Sequence, residues 1–254
     1  MKHPSSHPAA LAVILVTVAM LAGHPPAAAV ESAGEAEARF NSGVAHLKGG
    51  RPALALEDFK KAVKEDSNNP YFHKGLGQAY AAMNRFKDAV AAFRKALALN
   101  PYYVDVRNDL GMALISSGKR EEGKKEFLAA FNDPTNPSPE LTSWNLGSAY
   151  FEERNYVQAL EWFRTSLAKS KTAPAYFGLA TSLQKLGRHD EALAELEAGV
   201  KEFPDNAGLL LSLGEAYYQA GRFGEARDRL EDAARKDPRG AGTRANELLK
   251  NFPR

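Results

Sequence analysis

No cysteine occurs in the 254 residues. That excludes disulfides, thiolate metal sites, cysteine nucleophiles, thioether-linked haem and any acylated-cysteine anchor. Charge of one sign is missing too: 33 Lys plus Arg face 31 Asp plus Glu. Residues 1–29 hold one charged side chain, Lys2, so the remainder carries 32 − 31 = +1. Nucleic-acid binding needs a basic face that releases counterions from phosphates, and this balance offers no global excess. Recognisable chemistry is scarce as well. Gly75-Leu76-Gly77 is the one glycine pairing similar to a nucleotide loop, but no third glycine or Gly-Lys-Ser/Thr follows. There is no Gly-x-Ser-x-Gly elbow. Three of the six histidines (His3, His7, His24) lie in the first 29 residues, and no two of the others share the i, i+4 spacing of a helical metal site. The expectation is a protein that is not an enzyme and carries no metal or cofactor.

What is present begins with an export signal. Lys2 supplies the positive end, and Ala9 to Gly23 is a 15-residue apolar core. Ala27, Ala28 and Ala29 then offer a small-residue cleavage site before Val30. The apolar core is shorter than the ~18 to 20 residues of a spanning helix, so a cleaved signal peptide is expected. An uncleaved signal anchor is the alternative, and it would be the chain's only membrane contact. Either way the body of the chain is placed outside the cytoplasm, in a bacterial periplasm or cell envelope, where a cysteine-free chain fits. Apolar content of 44% and charge of 25% suit a folded body.

That body is periodic. Leu76, Gly77, Tyr80, Ala89, Phe93, Ala96 and Pro101 recur about 34 residues apart, ending with Leu213, Gly214, Tyr217, Ala226, Leu230, Ala233 and Pro238. This pattern resembles the tetratricopeptide repeat, a helix-turn-helix unit that stacks because it cannot bury its apolar face alone. The fold expected is all-α: a solenoid of six repeats (36–69, 70–103, 104–139, 140–172, 173–206 and 207–240) in a right-handed superhelix. Residues 30–35 read as a short flexible lead. Residues 241–254, with Ala245, Leu248, Leu249 and Phe252 at helical spacing, read as a capping helix.

Position eight of each repeat is Gly43, Gly77, Gly111, Gly147, Ala180 or Gly214, small because the two helices cross closely there. Position twenty is Ala55, Ala89, Gly123, Ala159, Ala192 or Ala226, and the bulky position twenty-four is Phe59, Phe93, Phe127, Phe163, Leu196 or Leu230. A large side chain at a small position would overpack the crossing by ~1–3 kcal/mol. Position fifteen is Gly50, Asn84, Gly118, Gly187 or Gly221, a left-handed helix end, while the fourth repeat has Arg154 there and is expected to shift its turn toward Asn155. His46, His73 and His189 take positions that are aromatic or apolar in this repeat and read as packing. The third repeat ends in FNDPTNPSPE, whose three prolines require an extended, non-helical connection.

The resemblance implies that the first helix of each unit lines a concave groove with its positions five, nine and twelve. Those positions include Phe40, Val44, Lys74, Asn108, Met112, Ile115, Trp144, Phe151, Phe177, Leu211 and Tyr218. An apolar stripe of this kind marks a site for a protein or peptide partner. Trp144, Phe151, Phe177 and Tyr218 are expected to form a near-continuous strip. The alternative is a register off by one, with some of these residues in the core between repeats, Trp144 first among them. Lys74 and Asn108 resemble part of the carboxylate clamp of chaperone-binding repeats, but the rest of that set is missing.

Arg107-Asn108-Asp109-Leu110-Gly111, the lengthened end of repeat three with Pro139-Glu140, and Trp144-Asn145-Leu146-Gly147 sharpen the likeness. Over residues 36–240 the chain resembles the six-repeat type IV pilus biogenesis and stability proteins, the pilotin family of PilF, PilW and Tgl. That resemblance implies an adaptor for a secretin or another pilus-assembly component. It departs on one point, since those proteins are typically lipoproteins and this sequence has no cysteine to acylate. The alternative function is a periplasmic, chaperone-like holder of client chains, as in cytochrome maturation.

Overall fold

The computed structural model describes residues 27–252, with side chains from Gly34 onward. The described part contains thirteen α-helices and no strand. Two compact units divide within the fifth helix, one ending at Ala113 and the other starting at Leu114. The first contains α1 (Ala27–Lys48), α2 (Pro52–Glu65), α3 (Pro70–Ala82), α4 (Phe86–Leu99) and most of α5 (Val104–Ser116). The second contains α6 (Arg120–Phe131), α7 (Pro139–Glu152), α8 (Tyr156–Lys169), α9 (Ala173–Lys185), α10 (His189–Glu202), α11 (Ala207–Gln219), α12 (Phe223–Lys236) and α13 (Ala241–Lys250). The export segment read in residues 1–29 lies outside the described residues except for its last three. Residues 30–35 are helical within α1, which corrects the expectation of a flexible lead.

Local chemistry sets the helix ends. Asn69 before Pro70, Thr172 before Ala173 and Asn206 before Ala207 each accept a backbone N–H of the following first turn, the usual work of an N-cap. Proline is tolerated in the first turn because its missing N–H would have no helical partner. Between the helices of a repeat, Gly50, Asn84, Gly118, Arg154, Gly187 and Gly221 all adopt positive φ. Arg154 takes this conformation itself at φ 61°, so the turn does not move to Asn155. Asn155 instead caps α8 by accepting the Gln158 N–H at 3.3 Å.

The two helices of a repeat pack against each other within each unit, α1 with α2 and α3 with α4 in the first and α7 with α8, α9 with α10 and α11 with α12 in the second. First helices of neighbouring repeats also touch: α1 with α3 in the first unit, and α7 with α9, α9 with α11 and α11 with α13 in the second. The periodic residues explain this. Ala55, Ala89, Ala159, Ala192 and Ala226 are fully buried beside Phe59, Phe93, Phe163, Leu196 and Leu230. The glycines at position eight face those bulky side chains. A Cβ at Gly147 would lie 2.8 Å from the Phe163 ring, and one at Gly43 would lie 2.7 Å from Phe59. A second glycine closes the other side, because a Cβ at Gly178 would lie 2.6 Å from Phe163 and one at Gly75 would lie 2.6 Å from Phe59. Each ring is therefore held between two repeats. Full burial of such a side chain contributes ~1.5–3 kcal/mol.

Polar contacts fix the remaining joints. Lys124 on α6 is buried, with Nζ 2.7 Å from both Glu121 and Glu153 and 4.5 Å from the centre of the Tyr150 ring. Its ammonium is held above the usual lysine range: burial pulls it down, but hydrogen bonds and charge from Glu121 and Glu153 outweigh that. Lys171, just before α9, pairs with Glu202 at the end of α10, and Asp205, just before α11, pairs with Lys236 at the end of α12. The proline-rich connection after α6 is non-helical but not extended. Asn136 N–H bonds back to Asp133 O at 3.0 Å, and the Asn136 side chain donates to Ala130 O and Thr142 Oγ1 at 2.8 and 3.1 Å. At the C-terminal end, α13 packs on α11 and α12, with Ala245 buried and Leu248, Leu249 and Phe252 against the Leu210–Leu230 cluster.

Candidate functional site

In the second unit, α7 and α9 lie side by side and present the same positions of successive repeats. Trp144, Ser148, Phe151 and Glu152 from α7 meet Pro174, Phe177, Gly178 and Thr181 from α9 around a pocket of ≈ 290 Å³, with Phe163 of α8 also in its wall. Phe177 is half exposed at 49%, while Trp144 and Phe151 are half-buried and rest on the core cluster that includes Phe163 and Leu179. They are thus both groove and packing residues, and no register shift separates the two roles. The Trp144 indole N–H is buried and has no hydrogen-bond partner among the described residues, a state that costs ~1–3 kcal/mol. The Thr181 hydroxyl is already engaged, donating to Phe177 O at 2.8 Å. Among the described residues, Glu152 is the one charged residue lining the pocket. Its side chain is 59% exposed, and its carboxylate lies 3.5 Å from Arg120 Nη1.

The other expected groove residues divide by neighbourhood. Phe40 and Val44 pack on the Ala55–Phe59 cluster. The Phe40 ring lies 5.5 Å from Phe59 and 5.3 Å from Phe72, so it reaches the next repeat and serves as packing. Leu211 likewise joins the cluster of Leu210, Leu230 and Ala245. Tyr218 does not line the pocket. It stacks edge-on against Phe223 and Phe252, at 5.4 and 5.3 Å, in a separate aromatic group at the C-terminal end. Met112 is half exposed and Ile115 half-buried. His73 is a packing residue whose Nε2 lies 2.9 Å from Ser67 O, whereas His189 is exposed at the start of α10, against expectation.

In the first unit the second repeat presents polar side chains, Lys74 and Gln78, at the equivalent positions. Lys74 lies 3.7 Å from Asp105 and 4.9 Å from the centre of the Tyr103 ring. Gln78 donates to Asp109 at 3.0 Å. Burial pushes the Asp109 carboxyl up from its ordinary value, against the opposing pull of the Gln78 hydrogen bond and Lys74. With Lys74 already paired to Asp105, it is not displayed as one arm of a carboxylate clamp. Asn108, the other candidate arm, is half-buried beside Asp109 and also has a partner.

A larger hollow of ≈ 360 Å³ lies between α9, α10 and α11, lined by Gln184, His189, Asp190, Leu193, Ala216, Gln219 and Ala220. Phe, Tyr and Trp are missing from that lining, and His189, Asp190 and Gln219 are exposed, so the smaller pocket is the better binding candidate. Among the described residues no group of three or more His, Cys, Asp or Glu side chains could hold a metal ion. No described helix is long and apolar enough to cross a membrane.

Repeating crossings, left-handed turns and adjacent first helices agree with comparison against known families. A profile described as tetratricopeptide repeat matches residues 51–197, and a second of the same description matches 26–70 and 177–241. The chain belongs to the tetratricopeptide repeat family. Among tetratricopeptide relatives, the type IV pilus assembly protein PilF of Pseudomonas aeruginosa is 27% identical over 139 residues, covering 55% of this chain and 55% of that protein. Anaphase-promoting complex subunit 3 of Schizosaccharomyces pombe is 27% identical over 166 residues, covering 65% of this chain and 25% of its own. The chain thus spans between a quarter and about half of the length of these curated relatives. Among solved tetratricopeptide structures, PilW, a widely conserved type IV pilus biogenesis factor, matches with a TM-score of 0.71 at 20% identity, covering 84% of this chain and 98% of that one. PilF of Pseudomonas aeruginosa matches with a TM-score of 0.68 at 22% identity, covering 87% and 99%. At these identities the structural likeness is one of fold.

Proposed function

We propose that this tetratricopeptide protein is an exported, non-catalytic adaptor in type IV pilus or cell-envelope assembly. It holds a segment of a partner protein, such as a secretin or another pilus-assembly component, on the first helices of its repeats. The observation that carries the binding role is the pocket in which Trp144, Phe151 and Phe177 of two successive repeats converge. The assembly context is supported by the relationship to PilF, and the export by the signal-like composition of residues 1–29.

The test is co-purification of the chain with candidate secretin and pilus-assembly proteins from cells that make both. Replacing Phe151 and Phe177 with alanine removes two aromatic anchors, which often cost ~2 kcal/mol or more each, about 30-fold in affinity. Capture of one saturable partner should be lost while the helical circular-dichroism signal stays near wild type, and Lys61→Ala should change neither. Phe177→Ala alone, at a half-exposed residue, keeps the test valid if the double variant unfolds. Retained capture by a folded variant overturns the pocket's role. Weak binding of many unrelated apolar peptides would instead identify a holder of client chains.

A further inference from the structure

We infer that the occupant of the Trp144–Phe151–Phe177 pocket is a polypeptide segment in which a bulky apolar side chain is followed or preceded by lysine or arginine. This inference rests on the binding role proposed above and specifies its chemistry. Three features of the pocket point the same way. At ≈ 290 Å³ it lies at the lower edge of the ~300–1,000 Å³ that enclose whole small-molecule ligands, so it suits one or two side chains of a longer chain lying across it. Its walls are aromatic and apolar apart from two hydroxyls and Glu152, and among the described residues no lysine or arginine lines it. Glu152 sets the electrostatic preference of the rim, because its side chain is mostly exposed and its contact with Arg120 is long, at 3.5 Å. A cation beside the docked side chain adds a second partner for that carboxylate, whereas an aspartate or glutamate there meets like charge.

A polypeptide supplies both parts, an apolar side chain for the pocket and a cation one residue away for Glu152, whereas an acyl chain supplies only the first.

The experiment uses the full chain and three short fluorescein-labelled peptides, followed by anisotropy: a central phenylalanine flanked by lysines, the same phenylalanine flanked by glutamates, and an alanine flanked by lysines. The lysine-flanked phenylalanine peptide should bind saturably, the glutamate-flanked one about fivefold more weakly, and the alanine peptide not measurably. Glu152→Lys should reverse the order of the two phenylalanine peptides. In a Trp162→Phe chain, Trp144 is the sole tryptophan, and its emission should shift as the first peptide saturates, which locates the site. Equal binding of both phenylalanine peptides, an unchanged order in Glu152→Lys, or undiminished binding in Phe151→Ala/Phe177→Ala overturns the inference. So does a Trp144 shift with phosphatidylcholine vesicles and none with peptide, which would assign the pocket to lipid. If no peptide binds but partner capture remains sensitive to Phe151 and Phe177, the adaptor reading stands and this specificity falls. If the peptides behave as expected while partner capture ignores those residues, the adaptor reading falls instead.

Discussion

Gly178→Ala tests the packing that shapes the pocket wall. The added methyl would sit 2.6, 2.7 and 2.9 Å from Cε1, Cζ and Cδ1 of Phe163, where ordinary carbon contacts are ~3.5–4.0 Å. The ring must therefore give by about 1 Å. It cannot retreat, because it is 3% exposed and Gly147 closes its other side, where a Cβ would be 2.8 Å away. Overpacking of this kind costs ~1–3 kcal/mol, and two closed sides place it toward the upper end. Alanine recovers ~1 kcal/mol of helix propensity, so the net loss should be about 2 kcal/mol. Urea unfolding followed by tryptophan emission reports it locally, since Trp144 shares the pocket with Phe163 and Trp162 is its chain neighbour. Phe163→Leu should relieve the clash. The double variant should then be more stable than the sum of the single changes by at least ~1 kcal/mol, a coupling expected only of residues in contact. Additivity within ~0.5 kcal/mol, or a Gly178→Ala chain more stable than wild type, would refute the account.

Arg154→Gly should stabilise the chain by ~0.5–1 kcal/mol in the same assay: relief of a left-handed L-residue is worth ~1–2 kcal/mol, and glycine's backbone entropy offsets part of it. Lys124→Met keeps the buried stem but strands Glu153, and should destabilise by about 1–3 kcal/mol near neutral pH. Because the folded-state value of Lys124 is raised, its contribution is fully present below the ordinary lysine value of ~10.4. It is lost as pH climbs through the higher folded value, so wild type and variant should converge in alkaline unfolding curves. Asp109 has the opposite consequence for its own ionised form. Its raised carboxyl means that the folded state binds the proton better, so stability falls as pH rises from ~3.9 through the folded value. Asp109→Asn should remove that slope and leave the chain more stable at neutral pH, as read from urea midpoints across the acid range.

The repeat skeleton was legible because each element is fixed by short-range signals. Asn69-Pro70 and Thr172 announce first helices, the position-fifteen residues announce turns, and the Ala and Phe or Leu positions announce crossings. Half of the candidate site was legible for the same reason: Trp144, Phe151 and Phe177 occupy a helical face that repeat position alone assigns. Position does not say how far a side chain reaches, and Phe40 and Leu211 are drawn into packing by Phe59, Phe72 and Leu210. Gly178 was missed because one glycine inside a helix reads as a tolerated weakness. Its meaning lies in a ring 15 residues earlier in the sequence. The recurrence of a glycine at the same repeat position, as Gly75 in the repeat that follows Phe59, was the available clue. Arg154 misled for a different reason: arginine is a poor candidate for positive φ, and only the hydrogen bonds of Arg154 and Asn155 back to Phe151 and Tyr150 show that the turn keeps its place.

Two of the ion pairs that join the last repeats run in opposite senses. Lys171 reaches forward to a carboxylate, Glu202, and Asp205 reaches forward to an ammonium, Lys236. Lys171 and Asp205 hold equivalent places, each one residue before the cap of a first helix, and Glu202 and Lys236 both close a second helix. Excision of residues 173–206 by recombination between similar repeat-coding stretches would keep the reading frame and the helical period, yet it would set Lys171 opposite Lys236. Duplication of the same stretch would set Asp205 opposite a second Glu202. Either event turns an attraction into a repulsion. The alternation thus works as an ordering code, under which genetic gain or loss of a single module in this part of the chain is penalised while an exchange that respects the sequence of signs is not.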